Sequence, residues 1–187
     1  MDAEEFLARL ALGETVFEAA EVTDAVMVGV QLRRVSLRKA QIIRVDLRGA
    51  DLTRGNLEGA CLTGVSLRGA HLFAVNLALA RLSGVDLCGA NLHRAVLRAA
   101  HLPGVQLRAA QLLEADLRGA NLRGANLQGA NLTGADLREA DLRAANLAEA
   151  ILLQADLRGA MVEDGQIRGL GSGQGGRCSP AVLERRR

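Results

Sequence analysis

Residues 115–139 read ADLRG-ANLRG-ANLQG-ANLTG-ADLRE, five units of five residues with no gap between them. Leu117, Leu122, Leu127, Leu132 and Leu137 occupy every fifth position, each preceded by Asp or Asn and, one residue earlier, by Ala. Outward from this stretch the period holds in both directions. From Phe17 to Ile167 every position whose number ends in 2 or 7 is Leu, Ile, Val, Met or Phe, 31 centres in all. Two residues before each centre, from Ala20 to Ala160, stands Ala or Val, with Gly55 the single exception.

A repeat this long decides the architecture before any other feature is read. On an α-helix successive centres would step by about 140° and spiral around every face. On a flat strand an odd period would send them to alternate faces. For all centres to line one interior, the chain must bend once per unit. The frequent Gly, Asn and Asp suit such bends, since they tolerate unusual dihedrals. The expected product is a coil wound around an axis filled with Leu, the small residue packed beside each centre and the backbone of one coil paired with the next. Leu47, Leu52, Leu57, Leu62, Leu117, Leu122, Leu127 and Leu132 are members of that core ladder.

The A-(D/N)-L-x-x unit, kept in phase over most of the chain, resembles the pentapeptide-repeat family, bacterial type. The resemblance implies an all-β solenoid: a right-handed quadrilateral β-helix with four units per coil and seven to eight coils. The centre and the residue two before it would point inward and the other three outward, giving a rod ~35–37 Å long at ~4.8 Å per coil. One branch of the family mimics duplex DNA, binds DNA gyrase or topoisomerase, and protects it from poisons such as fluoroquinolones. That branch tends to Phe centres and an acidic flank. The Leu centres here, and the arginines standing beside the aspartates, set this chain apart from it.

Both ends depart from the repeat. Residues 1–13 read as an N-terminal capping helix, with capping-box spacing at Asp2 and Glu5, an apolar face of Phe6, Leu7 and Leu10, and a stop at Gly13. The β-helix is expected over 14–168. Residues 169–187 read as a Gly-rich flexible tail with a short terminal helix as the alternative, starting at Ser179-Pro180. A tail of this kind leaves the last coil open, which argues for a homodimer joined through the C-terminal end.

Composition narrows the function. Net charge is +2, from 23 basic and 21 acidic side chains, which speaks against direct nucleic-acid binding. No apolar run has the ~20 residues of a membrane span. The acidic start, MDAEEF, lacks the basic region of an export signal. The odd, scattered Cys61, Cys88 and Cys178 suit a reducing compartment, so a cytoplasmic protein is expected. His71, His93 and His101 have no Cys or carboxylate converging on them, which predicts neither metal nor cofactor. No paired carboxylates, nucleophile-base pair or phosphate loop stands out, so no enzyme is expected.

The outer surface is what remains. With four units per coil, residues twenty apart stack in columns. The face centred on Leu32, Leu52, Leu72, Leu92, Leu112, Leu132 and Leu152 combines few charges with outward apolar side chains. His71, Phe73, His93, Leu113, Ile151 and Leu153 are its candidate partner-binding residues. The partner would be a protein of unknown identity, with gyrase or topoisomerase as the alternative. The Val column at 45, 65, 85 and 105 on another face predicts a different turn or a wider coil there.

Overall fold

The computed structural model describes residues 2–163 and 166. Position i−1 of each unit pairs in parallel with the residue twenty further on, as in Gln31 with Asp51, Asp51 with His71, and Asn131 with Ile151. One coil is therefore four units, and the chain is a quadrilateral β-helix, right-handed as parallel crossovers are. Most sides of the coil are a single bridge. On one side the pairing lengthens into strands β1 (Glu21–Thr23), β2 (Gln41–Ile43) and β3 (Cys61–Thr63), in register Glu21, Gln41, Cys61.

The centres are the core. Leu47, Leu52, Leu57, Leu62, Leu117, Leu122, Leu127 and Leu132 are each at most 2% exposed, and no polar or charged residue is buried among the described residues. Each buried Leu contributes ~1.5–3 kcal/mol relative to exposure. Gly55 lies in the inner column between Val35 and Val75; a Cβ there would meet the carbonyl oxygen of Leu52 at 2.9 Å. The smallest side chain thus sits between two larger ones.

The unit 90–94 shows why the coil closes. Its backbone N–H groups all find partners: Ala90 donates to Leu87 O (3.1 Å), Asn91 to Ala70 O (2.9 Å), Leu92 to Gln111 O (2.7 Å) and Arg94 to Leu113 O (2.9 Å). The fifth, His93 N–H, donates to the Asn91 side-chain Oδ1 at 3.1 Å. That last bond corrects the expected role of Asp and Asn. The bend itself is made two residues after the centre: every such position from Ala19 to Gly159 has φ between 52° and 71°, glycine or not. Asp and Asn stand at i−1 and hold the one amide the ladder leaves free. Every Asp or Asn at that position from Asp46 to Asp156 does so. Gln at i−1 serves the complementary group, donating to the carbonyl two residues back in Gln31, Gln106 and Gln111.

The Val column behaves only partly as expected. The turn bond from centre carbonyl to the third amide is missing before Ala25, Val45 and Val65, but present before Val85 and Val105, both at 3.2 Å. The open turns carry Thr23, Ile43 and Thr63 stacked on consecutive coils, and β-branched residues favour the extended strand. Ser83 and Pro103 continue the column, and Pro103 fixes the φ that the second position of a closed turn needs.

The N-terminal cap is helix α1 (Ala3–Ala11), whose Asp2 side chain accepts from Glu5 N–H at 2.8 Å. Phe6 is 1% exposed and its ring centroid lies 4.5 Å from that of Phe17, the first centre. Arg9 lies over the same Phe17 ring, 5.4 Å from its centroid, and its Nε donates to Glu14 at 2.7 Å. Leu7, expected on the inner face, is outward and exposed. At the other end, Gln166 Nε2 donates to Leu142 O (2.6 Å) and Ala145 O (2.7 Å). Residue 166 would next have offered its backbone amide to Ala145; the side chain does so instead, while Gln166 N–H turns to Glu163 O. Ile167, the tail at 169–187, Cys178 and the Ser179-Pro180 turn lie outside the described residues.

Candidate partner-binding face

The face centred on Leu32 to Leu152 is held by the ladder at every coil. Arg34 N–H donates to Thr53 O (3.0 Å), Arg54 to Phe73 O (2.9 Å), Ala74 to His93 O (2.9 Å) and Arg94 to Leu113 O (2.9 Å). Residues 33, 53, 73, 93 and 113 therefore form one column. Within it the Phe73 and His93 ring centroids are 5.4 Å apart, tilted by 50°. His93 Nε2 is enclosed without a hydrogen-bond partner, 4.0 Å from Glu114 Oε2. Glu114 is held by Arg94 Nε at 2.7 Å, which lowers its carboxyl below the usual range.

Of the expected residues, Phe73, His93 and Leu113 stand on consecutive coils, half-buried, with His71 exposed in the same unit as Phe73. Ile151 (49% exposed) and Leu153 (38%) share the face but not the patch. An uncharged unit, residues 130–134, intervenes, where Thr133 Oγ1 donates to Asn131 Oδ1 at 2.7 Å. The strip is two patches, one at mid-rod and one on the last described coil.

On the neighbouring face the charges form a ladder of ion pairs. Arg98, Arg118, Arg138 and Arg158 alternate with Asp116, Asp136 and Asp156 on the face that follows the candidate face along the chain, bridged at 3.1, 2.6, 3.4, 2.7, 3.7 and 2.6 Å in turn. The guanidinium groups of Arg118 and Arg98 hold the Asp116 carboxyl down at about 2. On two further faces Arg44 pairs with Asp24 and Arg48 with Asp46. Every face of the described residues carries arginines beside its acids.

Other chemistry is sparse. Cys61 lies on β3 and Cys88 on the next face; burial pushes the Cys88 thiol up, away from a reactive thiolate. Among the described residues no three His, Cys, Asp or Glu gather as metal ligands. No helix there is long and apolar enough to cross a membrane.

These features define a parallel β-solenoid built from five-residue turns. A family model described as pentapeptide repeats matches residues 15–54, 31–69, 56–89, 90–129, 100–138 and 125–164, and the chain belongs to the pentapeptide-repeat family. Among solved structures, trypsin-treated QnrB1, a plasmid-mediated fluoroquinolone resistance protein, aligns at 16% identity with a TM-score of 0.59. The alignment covers 84% of this chain and 89% of that one. HetL from the cyanobacterium Nostoc sp. strain PCC 7120, involved in heterocyst differentiation regulation, is 30% identical, with 88% and 98% covered and a TM-score of 0.32. Rfr23 from the cyanobacterium Cyanothece 51142 is 27% identical, with 86% and 95% covered and a TM-score of 0.44. No curated protein matches the chain at a significant level.

Proposed function

We propose that the protein is a non-enzymatic interaction scaffold that binds a protein partner through the Leu32 to Leu152 face. The observation that carries this reading is the Phe73–His93–Leu113 column, aromatic and apolar side chains left half-open to solvent on a backbone fixed at every coil. A surface already ordered loses little conformational entropy on docking, and aromatic anchors dominate binding energy where they occur. The reading places the protein in a reducing, cytoplasmic setting, where Cys61 and Cys88 remain free thiols.

Phe73→Asp combined with Leu113→Asp should leave the circular dichroism and melting curve unchanged and abolish capture of a partner recovered by wild-type protein. Retention of that partner by the folded double variant refutes the face. The DNA-mimic alternative asks for a continuous acidic flank, and the arginines interleaved on each face oppose it. A gyrase supercoiling assay with and without a fluoroquinolone separates the two: neither inhibition nor rescue is expected here, and either one would replace the scaffold reading.

A further inference from the structure

Two arginines on the candidate face are left over by the pairing. Arg33 reaches Asp51 at 3.6 Å and Arg94 binds Glu114 at 2.7 Å, so both acids of the face between Leu32 and Leu112 are engaged. Arg34 and Arg54 make no ion pair among the described residues. They stack on adjacent coils, ~4.8 Å apart along the axis, and the ladder joins Arg34 to the Thr53 carbonyl and Arg54 to that of Phe73. Both are exposed and both sit in the left-handed region, at φ 60° and 56°.

Nothing in the fold calls for arginine there. The left-handed dihedral suits glycine better than a side chain, and two like charges on neighbouring coils repel. At equivalent corners arginine has its own acid, as Arg44 has Asp24 at 2.6 Å. The side chains flanking this corner on the next face, Ser36 and Asn56, are neutral. Two adjacent arginines without an acid, beside an apolar column, leave a basic corner open to an acidic group of another molecule.

We infer that the scaffold's partner presents an extended acidic-then-apolar segment, its carboxylates on Arg34 and Arg54 and its apolar side chains on Phe73, His93 and Leu113. This rests on the face assignment above and adds the partner's chemistry. From Arg34 to Leu113 is four coils, ~19 Å, which an extended chain at ~3.3 Å per residue crosses in about six residues. Carboxylates suit the corner better than a nucleic-acid backbone. Asp51 and Glu114 flank the site, and one phenyl ring is no platform for successive bases.

The test is fluorescence anisotropy with three labelled ten-residue peptides sharing one Leu-rich half, the other half carrying four Glu, four Gln or four Lys. Wild-type protein should bind the Glu peptide about tenfold or more tighter than the Gln peptide in low salt. Arg34→Glu with Arg54→Glu should reverse the order in favour of Lys; Arg34→Gln with Arg54→Gln should level it, which serves if the reversal disturbs folding. Equal binding of the three peptides, or binding of none, overturns the inference. If only Phe73→Asp with Leu113→Asp abolishes binding, the charge assignment falls and the face stands. If charge preference survives while that apolar variant binds as wild type, the face itself falls. Displacement of the Glu peptide from the arginines by a twenty-nucleotide single strand that binds more tightly also overturns it, in favour of a nucleic acid.

Discussion

At the scale of the residue, the fold rests on small polar groups as much as on leucine. Asn91 accepts from His93 N–H at 3.1 Å, the one amide of its unit that no backbone carbonyl reaches. Asn91→Ala should lower the unfolding free energy by about 1 kcal/mol and speed hydrogen exchange at the His93 amide, while Asn91→Asp preserves both. Unchanged exchange at His93 would mean that water serves that amide equally well. Acid acts at the same scale. Asp116 is held at about 2, well below an ordinary aspartate, by Arg118 and Arg98. A depressed folded-state value contributes stability at pH above the unfolded value near 4, and that contribution is lost as pH falls through about 2. Because the guanidinium groups face solvent, screening reduces the effect to roughly 1–2 kcal/mol. Denaturation followed from pH 6 to pH 2 should show the loss below pH 4, and Asp116→Asn should flatten it.

The element of this fold is the five-residue turn, and it sets two opposed requirements. The residue after the turn's midpoint must enter the left-handed region, yet the sequence often supplies side chains there. Leu79 is the clearest conflict, at φ 61° and 59% exposed. Leu79→Gly should stabilise the protein by up to ~1 kcal/mol, the relief of the strained dihedral exceeding the added freedom of the unfolded chain. Gly104→Ala, at φ 65° with open space around it, should destabilise by about 1 kcal/mol. Denaturant midpoints of the two variants moving in the same direction would contradict the strain account. Stacking also couples turns in a column. Thr53 and Thr133 stand in closed turns whose neighbours are closed, whereas Thr23, Ile43 and Thr63 open theirs together.

The whole molecule is a one-dimensional stack in which each coil touches only its neighbours. Stability should therefore be graded along the axis. Leu92→Ala at mid-rod removes a fully buried side chain flanked by coils on both sides, and should cost ~2–5 kcal/mol. Phe6→Asp acts differently. It detaches helix α1 from Phe17, so exchange should rise in the first coil while the amides of Leu92 and Leu112 stay protected. Uniform loss of protection along the rod would show the stack to unfold as a single unit. The exposure of Ile151, Leu153 and Met161 on the last described coil leads us to propose end-to-end pairing of two copies; a monomer mass by sedimentation at micromolar concentration would dismiss it.

The period of five, the inward Leu and Ala or Val, and the helical lid around Phe6 were legible in the sequence because each depends on residues near one another in the chain. A repeat states its inward positions again in every unit, and so the core ladder from Leu47 to Leu132 could be named in advance. The purpose of Asp and Asn was not legible there, since their bond to the amide two residues on depends on the turn's path in space. The outward residues are another matter. Which of them meet depends on how many turns close a coil, and the sequence repeats identically whether that number is three, four or five. The backbone ladder joins residues twenty apart, and this distance decides that Asp116 lies between Arg98 and Arg118 and that Arg54 stands beside Arg34 and Phe73. The sequence determined what faces inward, because burial is a property of each unit; the tertiary structure alone decided which outward side chains are neighbours, because that is set by the closure of the coil in space.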